Sequence, residues 1–142
     1  MEIFDPYEIE IKTGRTKEEL VKRFKRRAEI KEDRFFIYTE PYNLIPASTV
    51  VGDIRETIEG TLVSFKISAS VFLRGFTYLW LGGVGITFVI FVINALRDLA
   101  YHPGIHATIV LGGVGFFMIK LTFGISADRQ EKSIRRMIRE EE

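Results

Sequence analysis

Residues 76–96 read FTYLWLGGVGITFVIFVINAL and contain no charged side chain. As a helix that rises about 1.5 Å per residue, this stretch spans roughly 31 Å, which matches the hydrocarbon core of a bilayer at about 30 Å. Twelve of its residues are Phe, Leu, Ile or Val, and their transfer into lipid outweighs the cost of the glycines and of Asn94. A soluble chain of 142 residues has no core large enough to bury two such helices. The stretch therefore predicts a transmembrane helix.

A second apolar segment follows after a short connection. Residues 101–104 read YHPG, a strong turn signal, and residues 105–124 after them contain one charge, Lys120. Lys120 lies about one turn before the end of this segment, where its stem can reach the lipid headgroups; a role in an ion pathway is the alternative. We therefore predict a transmembrane helical hairpin over residues 73–126, with spans at 76–96 and 105–124.

The basic residues that flank the two spans predict the orientation of the hairpin. Only Arg97 lies in the connection between the spans. Seven basic residues lie before the first span or after the second: Lys66, Arg74, Arg129, Lys132, Arg135, Arg136 and Arg139. Because positively charged flanks stay in the cytoplasm, both termini are expected there. The predicted location is the cell inner (plasma) membrane, with a multi-pass topology.

Both predicted spans contain the pentapeptide Leu-Gly-Gly-Val-Gly, at residues 81–85 and 111–115. In an antiparallel hairpin, residues whose numbers sum to about 200 should lie at equal depth, which would place Gly85 level with Gly115. Residues without side chains let two helices approach closely, and such packing drives helix association in lipid. We predict a helix-packing site, either within the hairpin or between protomers, at Gly82, Gly83, Gly85, Gly112, Gly113 and Gly115.

The first 72 residues have the composition and the patterns of a soluble, cytoplasmic α+β domain. Thr16 followed by Glu19 has the capping-box spacing and predicts a helix that runs to about Ala28. Alternating or β-branched and aromatic runs predict four strands, at about residues 7–12, 34–40, 50–58 and 61–68. Gly52 inside the third strand suggests a β-bulge. The expected order is β-α-β-β-β, which implies an antiparallel-rich α+β domain with one helix across one face of the sheet. The apolar stripe of that helix is narrow and suits packing on a sheet.

The charged C-terminal segment, residues 127–142, is predicted to form a short amphipathic helix. Ile134, Met137 and Ile138 fall on one side of it, and basic residues fall on the other. A helix of this kind either lies on the membrane or packs on the soluble domain, and both interpretations stay open.

A run of basic residues between 22 and 27 is the strongest charge feature of the soluble domain. Three interpretations are open: a solvated helix face, a contact with anionic lipids of the cytoplasmic leaflet, or a nucleic-acid patch. No aromatic stacking motif accompanies the run and the net charge is +1, so membrane lipids are the expected partner and nucleic acid is not. The predicted lipid-headgroup contacts are Lys22, Arg23, Lys25, Arg26, Arg27, Arg135, Arg136 and Arg139.

Four stretches of the chain carry a resemblance: residues 16–20, 34–38, 50–73 and 123–132. In their order, a strand-and-helix start, a Phe/Tyr-rich strand, a hairpin, two membrane helices and a charged tail, the sequence resembles a family of uncharacterised bacterial two-helix membrane proteins with a small N-terminal cytoplasmic domain. The resemblance implies this architecture and a bacterial source. It implies no functional residue.

The sequence contains no constellation that predicts catalysis. There is no cysteine, so thiol chemistry is excluded. His102 and His106 are separated by Pro103-Gly104, which argues against a shared helical face for a metal. The carboxylate pairs Glu18/Glu19 and Glu56/Glu59 are expected on a helix surface and a hairpin edge.

We therefore expect no enzyme, no metal and no cofactor. Three functional classes remain: a membrane-anchored interaction module, a small subunit of a membrane complex with a protein partner, or a homo-oligomeric pore or effector controlled by the soluble domain.

Overall fold

The computed structural model describes residues 3–38 and 46–139, which form two compact units. The first, here called the sheet unit, comprises the chain up to Ser70 together with the chain from Phe123 onward. The second, the hairpin unit, is formed by Val71–Thr122. Residues 39 and 40 of the second predicted strand and residues 140–142 of the predicted C-terminal helix lie outside the described residues.

The sheet unit is an α+β structure with a five-stranded antiparallel sheet in the order β1-β5-β4-β3-β2. The α+β class and an antiparallel sheet are thus confirmed. The elements in chain order are β1 (Tyr7–Thr13), α1 (Lys17–Phe24), β2 (Glu29–Lys31), β3 (Arg34–Ile37), β4 (Ser48–Thr57), β5 (Gly60–Ala69), α2 (Val71–Asp98) and α3 (Gly104–Arg139).

The strand that sequence reasoning missed is β2. The predicted helix was expected to reach Ala28, but α1 ends at Phe24, and the chain turns and pairs with β3 through Ile30 opposite Phe35. A strand of three residues is too short to show the two-residue alternation of apolar and polar side chains. Its pairing with β3 also overrides the helical preference of the residues before it. The start of α1 is as predicted, since the Thr16 side chain accepts a hydrogen bond from the Glu19 amide at 3.4 Å.

One face of the sheet forms the core. Alternate residues of the long hairpin point to this face and are buried, among them Val50 and Ile54 of β4 and Val63 and Ile67 of β5. Helix α1 covers part of it with two fully buried side chains, Leu20 and Phe24. The Phe24 ring lies 4.5 Å from the Phe35 ring of β3, measured between centroids. The narrow apolar stripe of α1 therefore packs on the sheet, as its pattern predicts.

The end of α3 completes this core. We predicted a separate C-terminal helix from residue 127, but α3 runs without a break from Gly104 to Arg139. Its last part packs in the sheet unit, with Ile134 and Ile138 fully buried, and the Ser126 and Ser48 hydroxyls are 2.5 Å apart. The chain from Phe123 onward therefore belongs to the sheet unit, because the apolar stripe of the tail lies in its core.

The β-bulge expected at Gly52 is absent. The pairing of β4 with β5 keeps one register from Ser48↔Ala69 to Thr57↔Gly60, with Gly52 opposite Phe65. The reason for glycine is space: a Cβ atom on Gly52 would lie 2.5 Å from Cε1 of Phe35 and 2.8 Å from Cβ of Phe65. At Gly52, therefore, the ring of Phe35 and the Cβ atom of Phe65 occupy the volume that a side chain would need.

Replacing Gly52 with Val should lower the free energy of unfolding of the sheet unit by about 1–3 kcal/mol, because the added atoms force both phenylalanines out of their places. Thermal unfolding followed by circular dichroism at strand wavelengths measures the effect. Gly14→Ala is the matched control, since a Cβ atom at Gly14 meets nothing within 4 Å. Equal melting temperatures for the two variants would contradict this account of Gly52.

The hairpin unit consists of α2 and the first part of α3. Both helices are long and apolar enough to cross a membrane. The predicted turn between them is confirmed: the chain leaves α2 through Leu99, at a positive φ of 48°, and re-enters a helix at Gly104. His102 stacks on Phe91 with ring centroids 4.7 Å apart, so the turn is packed against α2.

Candidate functional site

The basic residues of α1 and its C-terminal turn point in two directions. Three arginines, here called the clamp arginines, face the end of α3: Arg15, Arg23 and Arg27. Arg15 donates a hydrogen bond to the Arg139 carbonyl at 3.4 Å, and Arg23 donates to the Met137 carbonyl at 3.3 Å. The Arg27 guanidinium bonds to the Ser133 hydroxyl.

The contact lies at the last described turn of α3. Carbonyls toward the C-terminal end of a helix carry partial negative charge, so guanidinium groups that donate to them offset the helix dipole. Glu19 orients two of the clamp arginines, at 2.7 Å from Arg15 and 3.3 Å from Arg23. The clamp arginines thus tie α1 to α3, a structural task that the basic run alone did not reveal.

The other basic residues of the run form a second surface, here called the basic face: Lys22, Lys25 and Arg26. All three are exposed. Their spacing of i, i+3 and i+4 places them on one side of a helical turn, opposite the buried Leu20 and Phe24. Among residues 3–38 and 46–139 they take part in no ion pair. The basic face is therefore the part of the predicted lipid-contact set that is free to meet a ligand.

The predicted lipid contacts on the tail of α3 are similarly divided. Arg135 pairs with Glu131 at 2.7 Å, one helical turn away. Arg139 is exposed, and its carbonyl accepts the hydrogen bond from Arg15. Arg136 is exposed as well. The eight residues that we grouped by charge thus include helix clamps, a local ion pair and exposed side chains.

The glycine pattern also separates into two groups. On α3, a Cβ atom at Gly115 would lie 2.6 Å from Cε2 of Trp80, and one at Gly112 would lie 3.0 Å from Cγ1 of Val84. These two glycines pack against α2, as a hairpin interface requires. By contrast, Cβ atoms at Gly82, Gly83, Gly85 and Gly113 would meet nothing within 4 Å among the described residues.

The predicted pairing of Gly85 with Gly115 is therefore wrong. The facing residues are Gly115 with Trp80 and Gly104 with Phe91, so their numbers sum to 195 and not to 200. The physical reason is volume: in this register the Trp80 side chain occupies the space left open at Gly115, and the Phe91 side chain occupies the space left open at Gly104.

A different signal in the sequence marks this interface. Gly104, Thr108 and Gly112 recur every four residues along α3, and Thr108 is buried. This is the small-xxx-small pattern of helices that approach closely in lipid. The repeated pentapeptide does not mark the interface. The four-residue spacing of small residues on α3 identifies the face that packs against α2.

The outward side of α2 carries a shallow apolar groove. Gly82 and Gly85 form its floor, and larger side chains on the same helix face form its walls: Leu81, Ile86, Val89 and Ile90. Its lining offers no polar group that would orient a small molecule. The groove is a packing surface, available to lipid chains or to another helix.

Residues 3–38 and 46–139 contain no group of three or more His, Asp or Glu side chains that could hold a metal ion. His102 accepts a hydrogen bond from the Gly104 amide at 3.2 Å, and His106 contacts the Tyr101 hydroxyl, so both imidazoles take part in the turn. Both imidazole side chains therefore contribute to the packing of the turn.

The second face of the sheet carries exposed ion pairs. Glu8 and Lys66 of neighbouring strands are 3.6 Å apart, and Arg34 pairs with Asp53 at 3.3 Å. At the edge, the hydrogen bond from Lys31 to the Glu29 carboxylate raises the pKa of Lys31. Pairs of this kind keep a sheet face soluble and contribute little to stability.

Comparison with known proteins adds no relative: no family model, no curated protein and no solved structure matches the chain.

Proposed function

We propose that this chain is a non-enzymatic integral membrane protein that acts as a membrane-anchored interaction module or as a small subunit of a membrane complex. The observation that carries the proposal is the exposure of its two apolar helices. In the most apolar 18-residue stretch of α2, 0% of the residues are buried within the protein, and in that of α3 the share is 17%. Leu79, Ile86 and Phe117 are each more than 60% exposed.

Exposure on this scale fits lipid as the solvent. Each large apolar side chain left in water costs about 1.5–3 kcal/mol relative to burial, and soluble proteins rarely expose apolar patches of more than a few hundred Å². In hydrocarbon the same side chains are favourably placed. A core helix of a soluble protein would be buried, and a cleaved signal sequence would not continue into the core of a folded unit as α3 does.

The continuity of α3 supports the role of an anchored module. The helix that supplies the second predicted span also supplies Ile134 and Ile138 to the core of the sheet unit. In the proposed arrangement the sheet unit is held at the cytoplasmic surface of the inner membrane by part of its own fold. Its basic face is then a surface that the lipid headgroups would meet, and its second sheet face is open to a protein partner.

A homo-oligomeric pore or effector is the alternative, and the outward groove on α2 is the observation that favours it. The polar residues of the spans argue against a water-filled lining. The threonine hydroxyls donate to carbonyls four residues earlier in their own helices: Thr77 to Leu73, Thr87 to Gly83, Thr108 to Gly104 and Thr122 to Met118. Hydroxyls satisfied in this way leave the helix surface apolar.

Native mass spectrometry of detergent-extracted protein separates these classes. A co-purifying protein supports the complex subunit, a defined homo-oligomer supports the pore, and a lone protomer that carries anionic lipid supports the module. The basis of all three is membrane insertion, which a carbonate wash of the membrane fraction tests first. Release of the chain into the wash as a monodisperse soluble protein would overturn the proposal.

The proposed topology predicts opposite labelling of two single-cysteine variants, which are clean probes because the chain has no cysteine. In intact cells, Tyr101→Cys in the connection should react with an impermeant maleimide, because the positive-inside rule places the connection outside. Lys132→Cys should react only after the membrane is permeabilised. Both side chains are well exposed, at 63% and 71%, so burial does not limit either reaction. The reverse pattern would place both termini outside.

A further inference from the structure

The direction in which α1 runs along α3 bears on what its basic face can reach. Arg15, before α1, contacts α3 at Arg139, whereas Arg27, after α1, contacts α3 at Ser133. The chain of α1 therefore advances toward the Phe123 end of that part of α3 that belongs to the sheet unit, as it approaches its basic turn. Ser133 lies nine residues after Gly124, where the apolar stretch of α3 ends, and all these residues belong to the sheet unit.

This separation is short on the scale of a bilayer surface. Nine residues of helix correspond to about 14 Å along the axis. The headgroup layer takes up roughly 5–8 Å of that distance, since a bilayer of 40–45 Å has a hydrocarbon core of about 30 Å. The distance left between the headgroups and Ser133, about 6–9 Å, is comparable to the Debye length of about 8–10 Å in physiological salt. In a chain inserted as proposed, charges on the C-terminal turn of α1 would therefore lie within the field of an anionic leaflet.

The charge of the basic face fits that field. Lys22, Lys25 and Arg26 carry three positive charges on one side of the turn, and Glu18, four residues before Lys22 on the same side, is the acidic residue of this face. Arg23 and Arg27 point elsewhere, because they bond to α3. The same two contacts fix the turn against α3, so the basic face is held in one orientation.

We propose that the basic face, Lys22, Lys25 and Arg26, binds the headgroups of anionic phospholipids on the cytoplasmic leaflet, while the clamp arginines are structural. This inference rests on the proposed function, since it requires the chain to be inserted in a membrane. It divides a single basic run into a lipid-binding part and a part that holds the fold. Binding of this kind is electrostatic, so it depends on lipid charge and on salt.

The experiment uses the full chain in lipid nanodiscs with a fluorophore on a single cysteine. Glu29→Cys places the probe three residues after Arg26, and Ile58→Cys places it at the tip of the β4–β5 hairpin. The tip is ten residues of strand, roughly 30 Å, from the end of β5 at Ala69. Quenching by a nitroxide on the lipid headgroups reports the distance of each probe from the bilayer surface.

In discs that contain phosphatidylglycerol, the probe at residue 29 should be quenched about threefold more than in discs of phosphatidylcholine alone. The difference should vanish in the triple variant K22E/K25E/R26E and at 0.5 M salt, where the Debye length is about 4 Å. The probe at residue 58 should respond to neither change. The matched control is K12E/R55E/K66E, which makes the same change in charge on the second face of the sheet and should behave as the parent chain.

Each outcome bears on a distinct claim. Quenching that is equal in the two kinds of disc, or that survives in K22E/K25E/R26E, overturns the lipid proposal even though the chain inserts. Loss of the effect in both triple variants overturns the assignment to the basic face, because net charge alone would then explain it. Charge-dependent binding of an oligonucleotide in place of lipid would also overturn it. A chain that fails to enter discs at all contradicts the proposed function instead.

Discussion

Replacing Ile134 with Ala should lower the free energy of unfolding of the sheet unit by about 2–5 kcal/mol, the usual cost of deleting a fully buried isoleucine. Ile134 is 0% exposed and lies on the last part of α3, among the side chains that cover the sheet. The expected result is therefore a weakened β-sheet from a change near the C-terminus. A free-energy loss of this size raises the exchange rate of protected amides at least about 30-fold, at a factor of ten per 1.4 kcal/mol.

Hydrogen exchange followed by mass spectrometry of detergent-solubilised protein measures this change, because peptides from β4 and β5 report the sheet directly. Lys132→Ala is the matched control on the same helix. Lys132 has 71% of its side chain exposed and pairs with Asp128 in an exposed contact that is worth at most about 1 kcal/mol. Equal exchange in β4 and β5 for the two variants would show that the tail lies on the membrane and not in the core.

The second large effect is expected at Gly115. Gly115→Leu should weaken the packing of α2 on α3 by about 1–3 kcal/mol, because the new side chain must occupy the space of the Trp80 indole. In lipid no hydrophobic force between helices compensates, so lost contacts translate directly into lost association. Trp80 is the only tryptophan of the chain, and its emission spectrum therefore reports the displacement without added labels.

Disulfide formation gives a second measurement of the same packing. The pair V84C/G112C is suitable, because Val84 and Gly112 face each other and V84C removes the methyl group that a Cβ atom at residue 112 would meet. In the Gly115→Leu background, the rate of disulfide formation should fall about tenfold or more, in line with the expected loss of packing energy.

Gly85→Leu is the matched control, since Gly85 belongs to the same pentapeptide motif but faces no atom of the chain within 4 Å among the described residues. It should leave the Trp80 emission and the disulfide rate of the hairpin unchanged. If Gly85→Leu and Gly115→Leu had the same effect, the interface that we describe would be incorrect. An effect of Gly85→Leu on subunit association alone would place that glycine between protomers.

The local patterns of the sequence were sufficient for most of the elements. The alternation over residues 7–12 predicted β1, the Thr16–Glu19 spacing predicted the start of α1, and the apolar stretches predicted both long helices. Each of these signals lies within one segment of the chain and reflects either backbone hydrogen bonding or the period of burial. The three-residue strand β2 escaped prediction because its stability depends on its pairing with β3.

For the candidate site, the sequence predicted which residue types are present but not which contacts they make. The basic run and the glycines were visible in the sequence, but their roles depend on which residues face which neighbour. Arg23 and Lys22 are adjacent in the sequence, yet one bonds to the end of α3 and the other is exposed. Gly85 and Gly115 occupy equivalent places in the repeated pentapeptide, yet only Gly115 packs against the opposite helix.

The sequence by itself determined that the chain combines an α+β unit with two helices that are apolar enough to cross a membrane. Length, charge and period are properties of single segments, and these properties are sufficient for that conclusion. Only the tertiary structure decided that the tail of α3 belongs to the core of the sheet unit, and that large side chains of α2 face the small residues of α3. Both depend on how the volumes of side chains that are distant in the sequence fill a common space, which no local pattern records.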